Sequence, residues 1–194
     1  TDALDLVTLG TIADSVPLNG ENRIIAKAGL ANFTKTKRPG LKALLKNAKI
    51  ENKKFTSTYI SFIIAPLLNA SGRMSTAEVS LKLLMSENIE EAEGFAKELE
   101  VFNRERQKVE SKILEEAQEL INSEINFKEH KIIVIAKEGW HQGVLGIVAS
   151  KIANKFYRPA IIISLNEEIC KGSCRSVNNF HLFSNLLRRL VFIQ

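Results

Sequence analysis

The sequence predicts an α/β protein of two domains joined by a long connector helix, each domain built on a mostly parallel sheet and the second one incomplete. Three observations carry that expectation. Residues 132–136 and 160–164 are short β-branched runs flanking a helical stretch at 143–156, the pattern of a βαβ unit with a right-handed crossover. From Ile89 to about Asn122, apolar residues recur at helical spacing with no proline, enough for a helix of about 50 Å. The third is the apolar opening of the chain, which ends at an acidic side chain, Asp14.

The chain has 194 residues, which is one large domain or two small ones. Hydrophobic residues make up 45% and charged residues 25%, the balance of an ordinary globular protein. No apolar run approaches the roughly 20 residues of a membrane span. A net charge of +5 permits a nucleic-acid or phosphate partner without selecting one. Cys170 and Cys174 lack metal-ligand spacing, so free thiols in a cytosolic chain are expected. Thr1 opens neither a signal peptide nor a start at methionine, and the chain closes on the apolar Val191-Phe192-Ile193-Gln194. Both ends are therefore expected to continue in a longer protein.

Taken in order, residues 3–12 read as a buried strand or a short helix, and Asn19-Gly20 marks a turn. Glu21 opens an amphipathic helix whose apolar face is Ile24, Ile25, Ala28 and Leu30, closing near Gly29 and Asn32. Pro39-Gly40 begins a short helix over 41–46. Residues 56–65 become continuously apolar up to Pro66, and residues 67–74 then read as a polar loop. Ser75 or Thr76 caps a helix over 77–85 with Glu78 in its first turn. The long charge-rich pattern from Ile89 is a strut between domains, or a helical hairpin broken near Asn103. Beyond Phe127 the strand–helix–strand unit follows, and Arg158-Pro159 punctuates the entry to its second strand. Glu167-Glu168 makes a turn, residues 169–176 a polar third strand, and residues 180–190 a last helix.

Four places could carry chemistry. The strand–turn–helix at Gly139–Gly143 leaves N–H groups at a helix start where an anion can sit. Trp140 and His141 stand in that turn, and either meet a ligand or serve as core plug and helix cap. Asp14 suits a hard metal ion or a simple turn, and no further His/Asp motif in the chain completes a metal site. Asn69, Ser71 and Arg73 bracket Gly72, a set that suits a phosphate as well as an interdomain loop. In a strand, Lys171, Ser173 and Arg175 would share one face, as an anion site or as charges protecting a sheet edge.

Five strings combine into a specific pattern: residues 10–23 (GTIADSVPLNGENR), 66–73 (PLLNASGR), 103–107 (NRERQ), 139–150 (GWHQGVLGIVAS) and 171–176 (KGSCRS). In this order and spacing they resemble the RecJ family of single-strand-specific DNA exonucleases, within the DHH phosphoesterase superfamily. Leu67 stands where a basic residue often sits, Gln142 where proline is common and Cys174 where glycine is. The resemblance implies that residues 1–75 are the C-terminal part of a DHH catalytic domain. Residues 76–126 would be the interdomain helix region and 127–194 the N-terminal part of the DHH-associated domain. It implies a cytoplasmic 5′ to 3′ exonuclease of DNA recombination and repair that releases mononucleotides and uses two Mn2+ or Mg2+ ions in the complete protein. Its partners would be single-stranded DNA, a helicase and a single-strand-binding protein, with no membrane.

Carried over by position, Asp14 would be a catalytic metal ligand and Arg73 a catalytic residue, with Asn69 and Ser71 on the loop facing the scissile bond. Trp140 and His141 match the family's signature turn, and Lys171, Ser173 and Arg175 the strand that holds a DNA 5′ phosphate. The Asp-His-His triplet of the superfamily is not in these 194 residues, so the chain alone is expected to be inactive. Two other readings are a DHH-family phosphodiesterase of oligonucleotides or dinucleotides, and a catalytically dead nucleic-acid-binding scaffold.

Overall fold

Leucine, alanine and lysine, good helix formers, dominate the first hundred residues, and helices are what they form. The computed structural model describes residues 3–51 and 53–190, and the chain divides into two units, Thr1–Glu105 and Arg106–Gln194. In the first unit come α1 (Leu4–Ala13), α2 (Gly20–Asn32), a short 3-10 turn (Phe33–Lys35) and α3 (Pro39–Asn47). A single turn, α4 (Ser57–Tyr59), runs through a π-helical segment (Ile60–Ile64) into α5 (Ala65–Met74), and α6 (Glu78–Met85) follows. Leu41, Leu44, Ile60, Ile64, Leu83 and Leu99 anchor its core.

Several expectations change here. The mixed α/β class with a long helix holds, but the first unit contains no strand among its described residues, so the sheet expected there is absent. Residues 3–12 resolve to the helical alternative: α1 buries Thr8, Leu9 and Ile12 and satisfies its backbone internally, where a lone strand could not. On α2 the buried residues are Ala26 and Gly29, while Ile24 is 69% exposed. Small residues face inward because α2 lies close against Thr8 of α1. The polar loop expected at 67–74 is the body of α5. Leu67, Ala70 and Ser71 are buried at i, i+3, i+4 spacing, with Pro66 in the first turn. Leu67 thus fills a core position rather than a site for a charge.

The helix α7 runs unbroken from Ile89 to Glu124, 36 residues, so the chain does not turn near Asn103. Ala92, Ala96 and Leu99 on it belong to the first core, Ile113, Ala117 and Ile121 to the second. In the second unit β1 (Ile133–Glu138), α8 (Gln142–Phe156) and β2 (Ala160–Leu165) form the expected βαβ unit, with β1 and β2 parallel. β3 (Lys171–Arg175) adds to β2 antiparallel, giving the order β1-β2-β3, and α9 (Leu182–Leu190) follows. The chain ends Thr1 and 191–194 lie outside the described residues. Among the described residues no helix is long and apolar enough to cross a membrane.

Candidate functional site

Register decides which side chains β3 offers to α8. Ile133 and Ile135 of β1 stand beside Ala160 and Ile162 of β2, all buried in the core that includes Val144, Val148 and Ile152 of α8. In the antiparallel pairing Arg175 sits opposite Ala160, Ser173 opposite Ile162 and Lys171 opposite Ser164. Directly opposed residues project to the same side of a sheet. The face that is apolar on β1 and β2 therefore becomes hydroxyl and cation on the edge strand.

Arg175 is held there by its own hydrogen bonds. Its Nε donates to Ser150 Oγ at 2.8 Å, and Ser150 Oγ donates in turn to the Gly146 carbonyl, one helical turn back, at 2.9 Å. Nη1 donates to the Cys174 carbonyl at 2.7 Å and reaches Ser173 Oγ at 3.4 Å. Gly146 makes the room: a Cβ there would lie 3.1 Å from both Arg175 Nη2 and Ser173 Oγ. One side of the guanidinium is thereby fixed, and Arg175 remains solvent-exposed. A guanidinium held on its Nε and Nη1, with no hydrogen bond from Nη2 to the described residues, can bind an anionic oxygen with little loss of side-chain freedom. Ser150 and Gly146 lie inside a string the sequence singled out, but neither was assigned to the site. Their i, i+4 spacing on α8 was the available signal.

The turn before α8 is built for support. Gly139 has φ +74°, a left-handed conformation that glycine adopts without strain and that lets the chain reverse out of β1. Trp140 is 4% exposed and lies in the second core, and its Nε1 donates to Glu116 Oε2 of α7 at 2.8 Å. Lys137 Nζ donates to the same oxygen at 2.9 Å, and Ser164 Oγ ties the Trp140 carbonyl at 2.6 Å. These bonds, from Trp140 first and then from Lys137, hold the Glu116 carboxyl below its ordinary range. The indole of Trp140 is thereby turned into the core rather than toward solvent. His141 is the N-cap of α8: its Nδ1 accepts from the Gly143 N–H at 3.2 Å, satisfying one of the donors an anion would use. The proton of the neutral ring then sits on Nε2, which stays a donor.

The first-unit candidates fall differently. Ser71 is fully buried, its Oγ 2.9 Å from Ser80 Oγ where α5 meets α6. Asn69 and Arg73 follow each other at i, i+4 on α5, Asn69 exposed and Arg73 half-buried. Asp14 is the C-cap of α1, exposed, with Ser15 at φ +54° behind it and no basic residue in the helix's last turn. A carboxylate at the negative end of a helix is unfavourable on its own and favourable beside a cation. Among the described residues, however, no group of three or more His, Cys, Asp or Glu could hold a metal ion. Asp14 is one hard oxygen donor, and the chain's described residues do not by themselves form a metal site.

With this geometry in view, the comparisons with known proteins fall on one family. Residues 129–191 match the DHHA1 domain, the stretch that carries Trp140, Gly146, Ser150 and β3. The single-stranded-DNA-specific exonuclease RecJ of Bacillus subtilis is 46% identical over 187 residues, 95% of this chain and 24% of that protein. This chain is related to RecJ along nearly its whole length. The crystal structure of Thermus thermophilus RecJ in complex with Mg2+ superposes with a TM-score of 0.83 at 33% identity, covering 96% of this chain and 28% of that one. A crystal structure of exonuclease RecJ bound to manganese gives 0.79 at 33% identity, covering 96% and 45%. The chain thus spans about a quarter to under half of the RecJ chains it matches.

Proposed function

We propose that this chain is the middle part of a RecJ-like exonuclease that degrades single-stranded DNA from its 5′ end, hydrolysing phosphodiesters in recombination and repair. The observation that carries the reading is the solvent-exposed guanidinium of Arg175, braced by Ser150 and the Cys174 carbonyl in the room that Gly146 leaves. Such a group is suited to a terminal phosphate. Arg175, with Ser173 and Lys171, binds the 5′ phosphate and fixes the register of the strand, and His141 Nε2 is a further donor at the turn. Asp14 contributes one oxygen ligand to a Mn2+ or Mg2+ site completed by residues outside this chain. An ion bound there would supply charge stabilisation and an activated water for phosphodiester hydrolysis. Asn69 and Arg73 contact the strand near the scissile bond.

The test is a manganese-dependent digestion by the full-length protein that carries this chain. It uses 5′-phosphorylated and 5′-hydroxyl single strands, and a dinucleotide beside them. Loss of the single strand from its 5′ end, abolished by Asp14→Ala with the fold intact, is expected. Cleavage of the dinucleotide alone would move the protein to the small-substrate phosphodiesterases, and no cleavage of either substrate would reject an enzymatic role.

A further inference from the structure

Charge is distributed unevenly along this chain. Between residues 22 and 55 there are ten lysines and arginines and one carboxylate, Glu51, although the whole chain carries only +5. The helix α7 is the counterpart, with eleven carboxylates against five cations. Within the first unit the basic segment covers α2, α3 and the turn after α3. Lys42 and Lys46 are exposed at i, i+4 on α3, whose opposite side buries Leu41, Ala43, Leu44 and Leu45. Lys49 and Lys53 prolong that row past the helix end, and Lys35 precedes it. Lys46, Lys49 and Lys97 line one open recess of about 220 Å³ with Asn47 and a single carboxylate, Glu93. Glu93 is paired with Lys46 at 2.6 Å and also feels Lys97, so three lysines face one carboxylate and the recess is net positive.

We propose that the exposed face of α3 and its following turn is a second contact surface for the nucleic-acid phosphate backbone, separate from the Arg175 seat. This rests on the nucleic-acid reading above and adds to it a sequence-independent grip along the strand. The pattern is what backbone binding needs. Single-charge lysines are spaced over successive turns, the amide that lines the recess, Asn47, is bonded to the Ala96 carbonyl, and the recess is wide enough for a phosphodiester group. Lys49, at φ +56°, is held in a left-handed turn that fixes where its side chain leaves the backbone. The carboxylates of α7 repel the same ligand, and the one that lines the recess, Glu93, is paired with Lys46.

The experiment measures binding of the 194-residue chain to a labelled single strand with a 5′-hydroxyl end, by fluorescence anisotropy from low to moderate salt. Wild type is compared with a triple variant, Lys42→Gln, Lys49→Asn and Lys53→Gln, and with a triple Lys→Arg variant at the same positions. Neutralisation is expected to weaken binding at least tenfold at low salt and to lower the slope of log K against log salt by about 2. The arginine variant should keep both values, and thermal melts should show that both variants fold. Unchanged affinity and slope in the neutralised variant would overturn the second surface while leaving the Arg175 reading intact. Arg175→Ala, tested on 5′-phosphorylated strands in parallel, reports on that reading separately. Binding of polyglutamate in preference to DNA would overturn the proposal in favour of an acidic protein partner.

Discussion

Ser150 is the residue through which Arg175 acquires a defined position. Its hydroxyl accepts from Nε and donates to the Gly146 carbonyl, so deleting it frees the guanidinium without touching a phosphate. For Arg175→Ala, preference for 5′-phosphorylated over 5′-hydroxyl ends should disappear in a competition digest. For Ser150→Ala that preference should fall severalfold through KM with kcat unchanged, and Ser150→Thr, which keeps the acceptor, should restore it. Gly146→Ala separates stability from binding. Alanine is favoured over glycine by up to about 1 kcal/mol in a helix interior, so the melting temperature should rise by a few degrees. The added methyl would press on Arg175 and Ser173, both of which can shift at their ends, and KM for 5′-phosphorylated strands should increase.

At the scale of elements, α7 supports the site from behind. Glu110 lies buried on it, accepting from Arg106 Nη1 and from Lys151 Nζ of α8. Glu110→Ala withdraws the carboxylate from two cations, and a loss of about 3 kcal/mol is expected in denaturant unfolding. One turn and a half further on, Glu116 receives Trp140 and Lys137. Its carboxyl titrates lower in the folded chain than in the unfolded one. The stability it adds is therefore complete above the ordinary glutamate value of 4.5 and is lost as pH falls through the folded value. The emission of Trp140, the chain's single tryptophan, should follow that loss below pH 4.5, and Glu116→Gln should flatten this acid limb.

On the scale of the whole molecule, two hydrophobic cores divide the chain, and the helix α7 contributes residues to each. Ile121 is fully buried in the second. Ile121→Ala is expected to cost about 2–4 kcal/mol, and hydrogen exchange should register the loss in β1 and β2, whose residues share that core. The same division separates the candidate groups: Asp14, Asn69 and Arg73 belong to the first unit, and His141, Ser173 and Arg175 to the second. Charge follows a third pattern, basic around α3 and acidic along α7, which neither core explains.

Sequence alone was enough for the features that rest on local periodicity. The long helix, the βαβ unit and the shared face of Lys171, Ser173 and Arg175 all follow from spacing, because helix and strand repeat at fixed intervals along the chain. It was also enough for the likeness to RecJ, since five short strings in order are specific where each alone is common. Tertiary structure decided what spacing leaves open. Leu67, Ala70 and Ser71 carried a helical pattern, yet the neighbouring Asn69, Gly72 and Arg73 read as loop until burial against α6 was visible. Trp140 could have faced a ligand or the core, and its packing in the second core with the bond to Glu116, 24 residues earlier, fixes its indole inward. Ser150 and Gly146 become part of the site only because antiparallel pairing sets β3 against α8. A side chain's partners across the fold come from packing between segments distant in sequence, and periodicity within one segment carries no record of them.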